Sequence, residues 1–313
     1  MEKAGGASSG ALGEQGMSRE VQEIASGIFR AGCRRINWYL VQEGGSLTLV
    51  DCGLPGQWPL LAESVSRLGR RLSDVEAVVL THAHTDHAGS AARVRREAGA
   101  RVHTHAAEVP EMRGGPPPRT ERSLLLYLWR PAALATVWTL LRGGGLRMEP
   151  VPEVVEVADA SKLDVPGQPR VVHVPGHTPG SVGYLLEERA AFFSGDALVT
   201  FNLLTGRAGP QLLPRGFTED SRQALASLER IATLPASTLL PGHGAPWRGP
   251  MAEAAARARA AGPPQEAKVR AGARLEGRCS AAARAGATVD TSWAGQYLVA
   301  AKGSRYGIAM HWG

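Results

Sequence analysis

Three of the nine histidines in this chain fall within seven consecutive residues, Thr81-His82-Ala83-His84-Thr85-Asp86-His87. Imidazole nitrogens and a carboxylate at this density suit zinc or another first-row divalent ion. The spacing adds to the argument. In an extended start to the loop, His82 and His84 lie two apart and their side chains leave on the same side. Asp86 and His87 then sit at the turn into the next element. The bland alternative is a polar surface loop that carries three histidines by accident.

The flanking sequence supplies the scaffold. Ala77-Val78-Val79-Leu80 reads as a buried strand, and residues 88–98 read as a helix. The cluster is therefore a strand-to-helix loop, a place where rigid elements can present ligands.

With its neighbours, the segment His82-x-His84-x-Asp86-His87 resembles the signature of the metallo-β-lactamase-fold hydrolases. Four further motifs follow the same family order. Asp51 ends the strand Leu47–Val50, and His177 stands in Pro175-Gly176-His177-Thr178-Pro179-Gly180. Asp196 stands in Phe193-Ser194-Gly195-Asp196, and His243 in Pro241-Gly242-His243-Gly244. One such match is weak, whereas five in order over roughly residues 28 to 250 are specific. The resemblance implies an α+β fold, an αββα sandwich of two mixed β-sheets flanked by helices. The strand count alone says only α/β or α+β.

The resemblance also implies a ligand set. His82, His84 and His177 would hold a first ion, Asp86, His87 and His243 a second, and Asp196 would bridge them. Two Zn2+ are expected, or other first-row divalent ions such as Fe, Mn or Co. Two such ions make a shared water acidic enough to attack near neutral pH. Asp86 is expected to pass a proton to the leaving group. Asp51 is expected to orient the ligand loops through hydrogen bonds without touching the ions.

Length and composition set wider bounds. The 313 residues suffice for one large domain, and 43% hydrophobic with 20% charged residues describes an ordinary globular protein. The three cysteines (Cys33, Cys52, Cys279) show no disulfide pattern and fit a reducing, cytoplasmic setting. Of the net charge of +6, residues 251–313 carry +5, with nine Lys/Arg against four Asp/Glu. The first 250 residues are close to neutral and lack the basic footprint that a nucleic-acid partner requires. The expected partner is a small-molecule substrate with an acyl bond, and homo-oligomerisation stays open.

Residues 1–20, rich in Gly, Ser, Ala and Glu, read as a flexible leader without the apolar run of a secretory signal. Residues 21–262 read as the catalytic domain, with an insertion at 106–150. Within it, the apolar run from Leu124 is expected to form a helix ending near Trp129, and a second helix starts at Pro131. Arg130 and Pro131 in its middle argue against a transmembrane segment. The hairpin at 121–142 is either a helix pair packed on the domain or a lid whose Tyr127, Trp129 and Trp138 face an apolar substrate, with membrane-surface contact as a third reading. Tyr184, seven residues past His177, is a further candidate to contact substrate, or else a core residue of its strand. His103, His105 and His173 read as structural or exposed. Residues 263–313, Ala-, Gly- and Arg-rich, read as a tail or small appended segment without an assigned role.

Within the family, Asp196 counts against the true β-lactamases, where a Cys or Ser is usual at that position. The near-neutral domain counts against a ribonuclease or phosphodiesterase. A thioester hydrolase of the glyoxalase II type shares the bridging Asp, but its substrate-binding C-terminal region is not recognisable here. The favoured expectation is a metal-dependent hydrolase of an ester or lactone. A metal-holding binding module is the non-enzyme alternative, separated by a test for chelator-sensitive hydrolysis.

Overall fold

The structure, a computed structural model, describes residues 21–33, 35–116 and 119–262. The expected leader (1–20) and tail (263–313) lie outside the described residues. Strands β1 (Gln22–Ala25), β2 (Ile28–Gly32), β3 (Asn37–Glu43) and β4 (Ser46–Val50) form an antiparallel meander. Helix α1 (Trp58–Arg67) leads to β5 (Val75–Val79), and α2 (Thr85–Ala88) and α3 (Ala91–Ala98) lead to β6 (Arg101–His105). Helices α4 (Val109–Met112) and α5 (Pro131–Arg142) precede β7 (Val155–Val157). From β4 onward the pairing is parallel, which completes a seven-stranded sheet in sequence order.

The second half contributes β8 (Arg170–His173), β9 (Val182–Leu186), β10 (Ala191–Gly195) and a ribbon of β11 (Val199–Phe201) with β12 (Ala208–Gln211). Then follow α6 (Ser221–Ala232), β13 (Thr238–Pro241), β14 (Trp247–Arg248) and α7 (Met251–Ala261). Five of these strands form a mixed sheet ordered β14-β13-β10-β9-β8.

Alternation along the strands builds three apolar layers. In β3, Leu40 joins Leu47, Leu49 and Val78 beneath α1 and α3, while Tyr39 and Val41 face the other sheet. There they meet Val171, Tyr184, Phe193 and Leu240. The outer face of the second sheet packs Val172, Phe192 and Leu239 against Leu228 and Ile231 of α6 and Met251 of α7. Period-2 strands covered by a helical stripe on each outer side give helix, sheet, sheet, helix. The expected αββα sandwich is present.

Two local expectations differ from what forms. Residues 88–98 are not one helix, because the backbone N–H of Cys52 donates to the His87 carbonyl at 2.7 Å. That carbonyl is then engaged outside the helix, so the helical turn at 85–88 stops and α3 begins afresh. Asp86 and His87 thus lie inside a short helix rather than at its entry. Residues 124–127 form one 3-10 turn instead of a helix reaching Trp129. Arg130, which precedes Pro131, takes extended backbone angles (φ −93°, ψ 130°), as a residue before proline is pressed to do.

Candidate metal centre

Five strands aim at one edge of the sandwich. Asp51 follows β4, the segment 82–87 follows β5, His177 follows β8, Asp196 follows β10 and His243 follows β13. All five points are carboxyl ends of strands. The two sheets are tied together there by polar contacts. Tyr39 donates its hydroxyl hydrogen to the Pro241 carbonyl (2.8 Å), and the Asn37 amide donates to the Pro241 and Gly244 carbonyls (2.8 and 2.7 Å). Val182 N–H donates to the Thr81 carbonyl at 2.9 Å. Gly242 supplies a close approach, since a Cβ there would lie 2.5 Å from His87 Cε1 and 2.6 Å from Asp196 Oδ1.

Three imidazole nitrogens converge first. His177 Nε2 lies 3.1 Å from His82 Nε2 and 2.9 Å from His84 Nδ1, and the last two are 3.1 Å apart. His82 Nδ1 meets the Thr81 hydroxyl at 3.1 Å, which leaves Nε2 free to act as the donor atom of the group. Burial pushes the pKa of His82, His84 and His177 down, so these rings are held neutral with lone pairs available. Three lone pairs facing one another at this range repel unless a cation lies among them. A tetrahedral ion with bonds of about 2.0–2.1 Å sets its nitrogen ligands about 3.3 Å apart, close to this triangle.

A second group adjoins it. His243 Nε2 lies 3.5 Å from Asp86 Oδ2, and His87 Nε2 lies 3.8 Å from the same oxygen. Asp196 stands between the groups. Its Oδ2 is 3.5 Å from His177 Nε2 and 3.1 Å from His243 Nε2, while its Oδ1 is 3.4 Å from His87 Nε2. Within each of the triads His82/His84/His177, His82/His87/Asp196 and Asp86/His87/His243, the donor atoms lie within 4.8 Å of one another. His87 Nε2 and Asp196 Oδ1 are buried without a hydrogen-bond partner among the described residues, as metal donors awaiting a cation would be.

The charges of this second group run the other way. Burial alone would lower His87, but the Asp196, Asp51 and Asp86 carboxylates together raise it well above the usual imidazole range. Burial likewise opposes protonation of His243, and Asp196 outweighs it. Asp196 itself, despite burial that favours its neutral form, is held far below the ordinary carboxylate range by His243 and His87. Excess negative charge in a dry site needs positive charge, supplied by protons or by a cation.

Two buried carboxylates hold the loops. Asp51 accepts the Thr81 backbone N–H (2.8 Å) and hydroxyl (2.8 Å), and its Oδ2 is 2.8 Å from His87 Nδ1. That contact fixes the ring so that Nε2 faces the cluster. Asp51 adopts a positive φ of 57°, a strained value for a residue with a Cβ. Glu108, absent from the sequence-based candidates, accepts the backbone N–H of Ala83 and of Gly180, both at 2.8 Å. It thereby clamps the loop of His82 and His84 to the loop of His177. No local signal marks it, because an Ala-Ala-Glu start to a helix is ordinary. His243 Nδ1 contacts the Arg35 carbonyl, which leaves Nε2 for the cluster.

The remaining candidates fall elsewhere. Tyr184 is fully buried and donates its hydroxyl to the Leu80 carbonyl at 2.8 Å, so it is a core residue between the sheets and is not available to substrate. Tyr127 is buried beside Gly216, with Leu124, Ala133 and Leu204. Trp129 and Trp138 project into solvent. Cys52 is buried, and its thiol, pushed up by burial, meets the His87 carbonyl. His105 stacks on His173 across the sandwich edge, with ring centroids 4.5 Å apart, away from the cluster triads.

An αββα sandwich with a His/Asp cluster at its strand ends defines a metallo-hydrolase fold. The chain belongs to the metallo-beta-lactamase superfamily, whose model matches residues 31–243. It is 26% identical over 241 residues to the probable metallo-hydrolase YflN of Bacillus subtilis, covering 72% of this chain and 87% of that one. It is 32% identical over 206 residues to a hydroxyacylglutathione hydrolase of Acidiphilium cryptum, covering 66% of this chain and 63% of the relative. A metallo-beta-lactamase family protein of Thermus thermophilus superposes with a TM-score of 0.54 at 25% identity, over 75% of this chain and 79% of that one. Metal dependence and hydrolysis follow from this membership at the level of the superfamily.

Proposed function

We propose that this chain is a hydrolase of ester or lactone bonds that works with two divalent metal ions. His82, His84 and His177 would hold one ion, Asp86, His87 and His243 the other, and Asp196 both. The observation that carries this reading is Asp196, whose two oxygens face histidines of both groups at 3.1–3.5 Å. When bound, such ions supply Lewis acidity and a water activated near neutral pH. Asp51 and Thr81 orient His87 and His82. Glu108 keeps the two loops of the nitrogen triangle in register. Asp86, at 14% the most exposed side chain among the acidic donors, is the carboxylate best placed to hand a proton to a leaving group.

A second reading has an observation of its own. The relative at 32% identity is a hydroxyacylglutathione hydrolase, which favours a thioester substrate. Metal content by mass spectrometry, combined with rates on lactones, aryl esters, thioesters, phosphodiesters and a chromogenic cephalosporin, separates the readings. Two ions per chain and chelator-sensitive lactone or ester turnover are expected. Turnover of the thioester alone would move the assignment to the second reading, and full activity with one ion or none would overturn the dinuclear site.

A further inference from the structure

Eight large apolar side chains are exposed among the described residues, and seven of them lie between residues 124 and 146. They are not scattered within it. Leu134, Trp138 and Leu141 fall at i, i+4 and i+7 of α5, so they form one stripe on its outer face. Leu126 and Trp129 extend the patch from the preceding turn, and Trp129 is 66% exposed.

Packing does not account for this face. The inner face of α5 is already satisfied by Ala133 and Thr136, and the Thr136 hydroxyl donates to the Leu203 carbonyl at 2.7 Å. The end of the helix is tied to the loop after Asp51, where Gly56 N–H donates to the Gly143 carbonyl at 2.9 Å. The outer faces of other helices follow the usual rule. Arg93, Arg96 and Glu97 line that of α3, and Arg222, Glu229 and Arg230 that of α6. Helix α5 alone of the longer ones turns leucine and tryptophan outward among the described residues.

The charge around the patch has one sign. Residues 119–147 contain five arginines and one carboxylate, Glu121. Glu121 is already engaged, accepting the N–H and hydroxyl of Ser221 at 2.7 and 2.8 Å and pairing with Arg215 at 3.2 Å. Two of the arginines ride on the exposed indoles, Arg130 over Trp129 (4.4 Å) and Arg142 over Trp138 (4.6 Å). An indole paired with a cation at an apolar edge suits the headgroup level of a bilayer.

We propose that this face docks the protein on an anionic lipid surface, with the Leu134–Trp138–Leu141 stripe entering the headgroup boundary and Arg130 and Arg142 meeting lipid phosphates and carboxylates. The mode is interfacial, since no helix among the described residues is long and apolar enough to cross a membrane. A second copy of the chain fits the face less well. A two-fold contact sets a patch against itself, which would bring like-charged arginine rims together. Anchored at Gly143 to the loop after Asp51 and at Thr136 to Leu203, the hairpin would seat the lipid surface beside the metal-centre loops, whichever bond is cut there.

The test is flotation of the full chain with phosphatidylcholine vesicles, with and without phosphatidylserine, over a salt series, read alongside tryptophan emission. Expected are binding to the anionic vesicles only, weakening with salt, and a blue shift on binding. Leu134→Glu with Leu141→Glu should lower partition about tenfold or more, and Arg130→Ala with Arg142→Ala should do the same while flattening the salt dependence. Circular dichroism and metal content check the fold of each, and the arginine pair decides should the leucine pair fail to fold. Binding unchanged in a folded variant would overturn the proposal and assign attachment to the basic segment beyond residue 262. No vesicle binding would overturn it too. Were sedimentation then to show a dimer that Leu134→Glu splits, the face would belong to a second copy.

Discussion

The metal-centre edge and the α5 hairpin are opposite solutions built on the same chain. At the edge, polar side chains are buried and over-determined. His87 is fixed by Asp51, the Ala83 and Gly180 loops are clamped by one Glu108, and donor atoms from four strand ends meet within a few ångströms. On the hairpin, apolar side chains are exposed and only the inner face is engaged. Buried polar groups cost stability unless partnered, and exposed apolar groups forgo a stabilisation that burial would bring. The donor atoms left without partners and the apolar face left uncovered are not what folding alone selects, and they mark where the proposed cations and the proposed lipid surface would meet the chain.

The largest expected effect tests the edge. His84→Ala removes one corner of the nitrogen triangle and should drop hydrolysis to background with loss of bound metal. Retained turnover at full metal content would separate activity from the cluster. Next come the two carboxylates that touch no donor nitrogen directly or only from behind. Asp51→Ala should lower metal affinity about 10–100-fold by freeing the His87 ring, read by competition with a chromogenic chelator. Glu108→Ala leaves two buried N–H groups without acceptors, each costing about 1–3 kcal/mol, while Glu108→Gln keeps an acceptor and should recover part of that stability.

Within the hairpin the contrast can be drawn one residue at a time. Tyr127→Ala empties a packed position and should destabilise by about 3–5 kcal/mol. Trp129→Ala, two residues on, should change stability by about 0.5 kcal/mol or less. Equal losses in thermal unfolding would show that the outer face is packing after all.

A last contrast concerns Glu111, whose carboxyl oxygens are buried without a hydrogen-bond partner among the described residues. Burial, then Glu108 and Asp86, raise its pKa from 4.5 to about 8. Between those values the folded protein holds a proton that the unfolded chain has released, so this group's contribution to stability falls as pH rises through that window. Glu111→Gln removes the penalty. Its melting temperature relative to the parent should be higher at about pH 9 than at about pH 5, and a pH-independent difference would contradict the assignment.

Much of this was legible in the chain. The motif His82-x-His84-x-Asp86-His87, with Asp51, His177, Asp196 and His243 in order, marks the fold and the candidate donors in the sequence alone. Donor atoms are a matter of residue type, and strand-ending motifs are local, so both survive in a one-dimensional record. Alternation in β3 and β4 and the amphipathic spacing of α6 are local in the same sense.

What tertiary structure alone decided involves contacts across long stretches of chain. Glu108 became a clamp only when β6 delivered it between Ala83 and Gly180, the latter 72 residues away in sequence. Tyr184 was drawn into the core because strand β9 places its hydroxyl under the Leu80 carbonyl. The split between α2 and α3 follows from Cys52, 35 residues upstream of the carbonyl it binds. Composition showed that the hairpin is apolar, and only packing decided which of its faces is covered. Helical spacing defines the faces of a helix, and the rest of the fold determines which one meets the core.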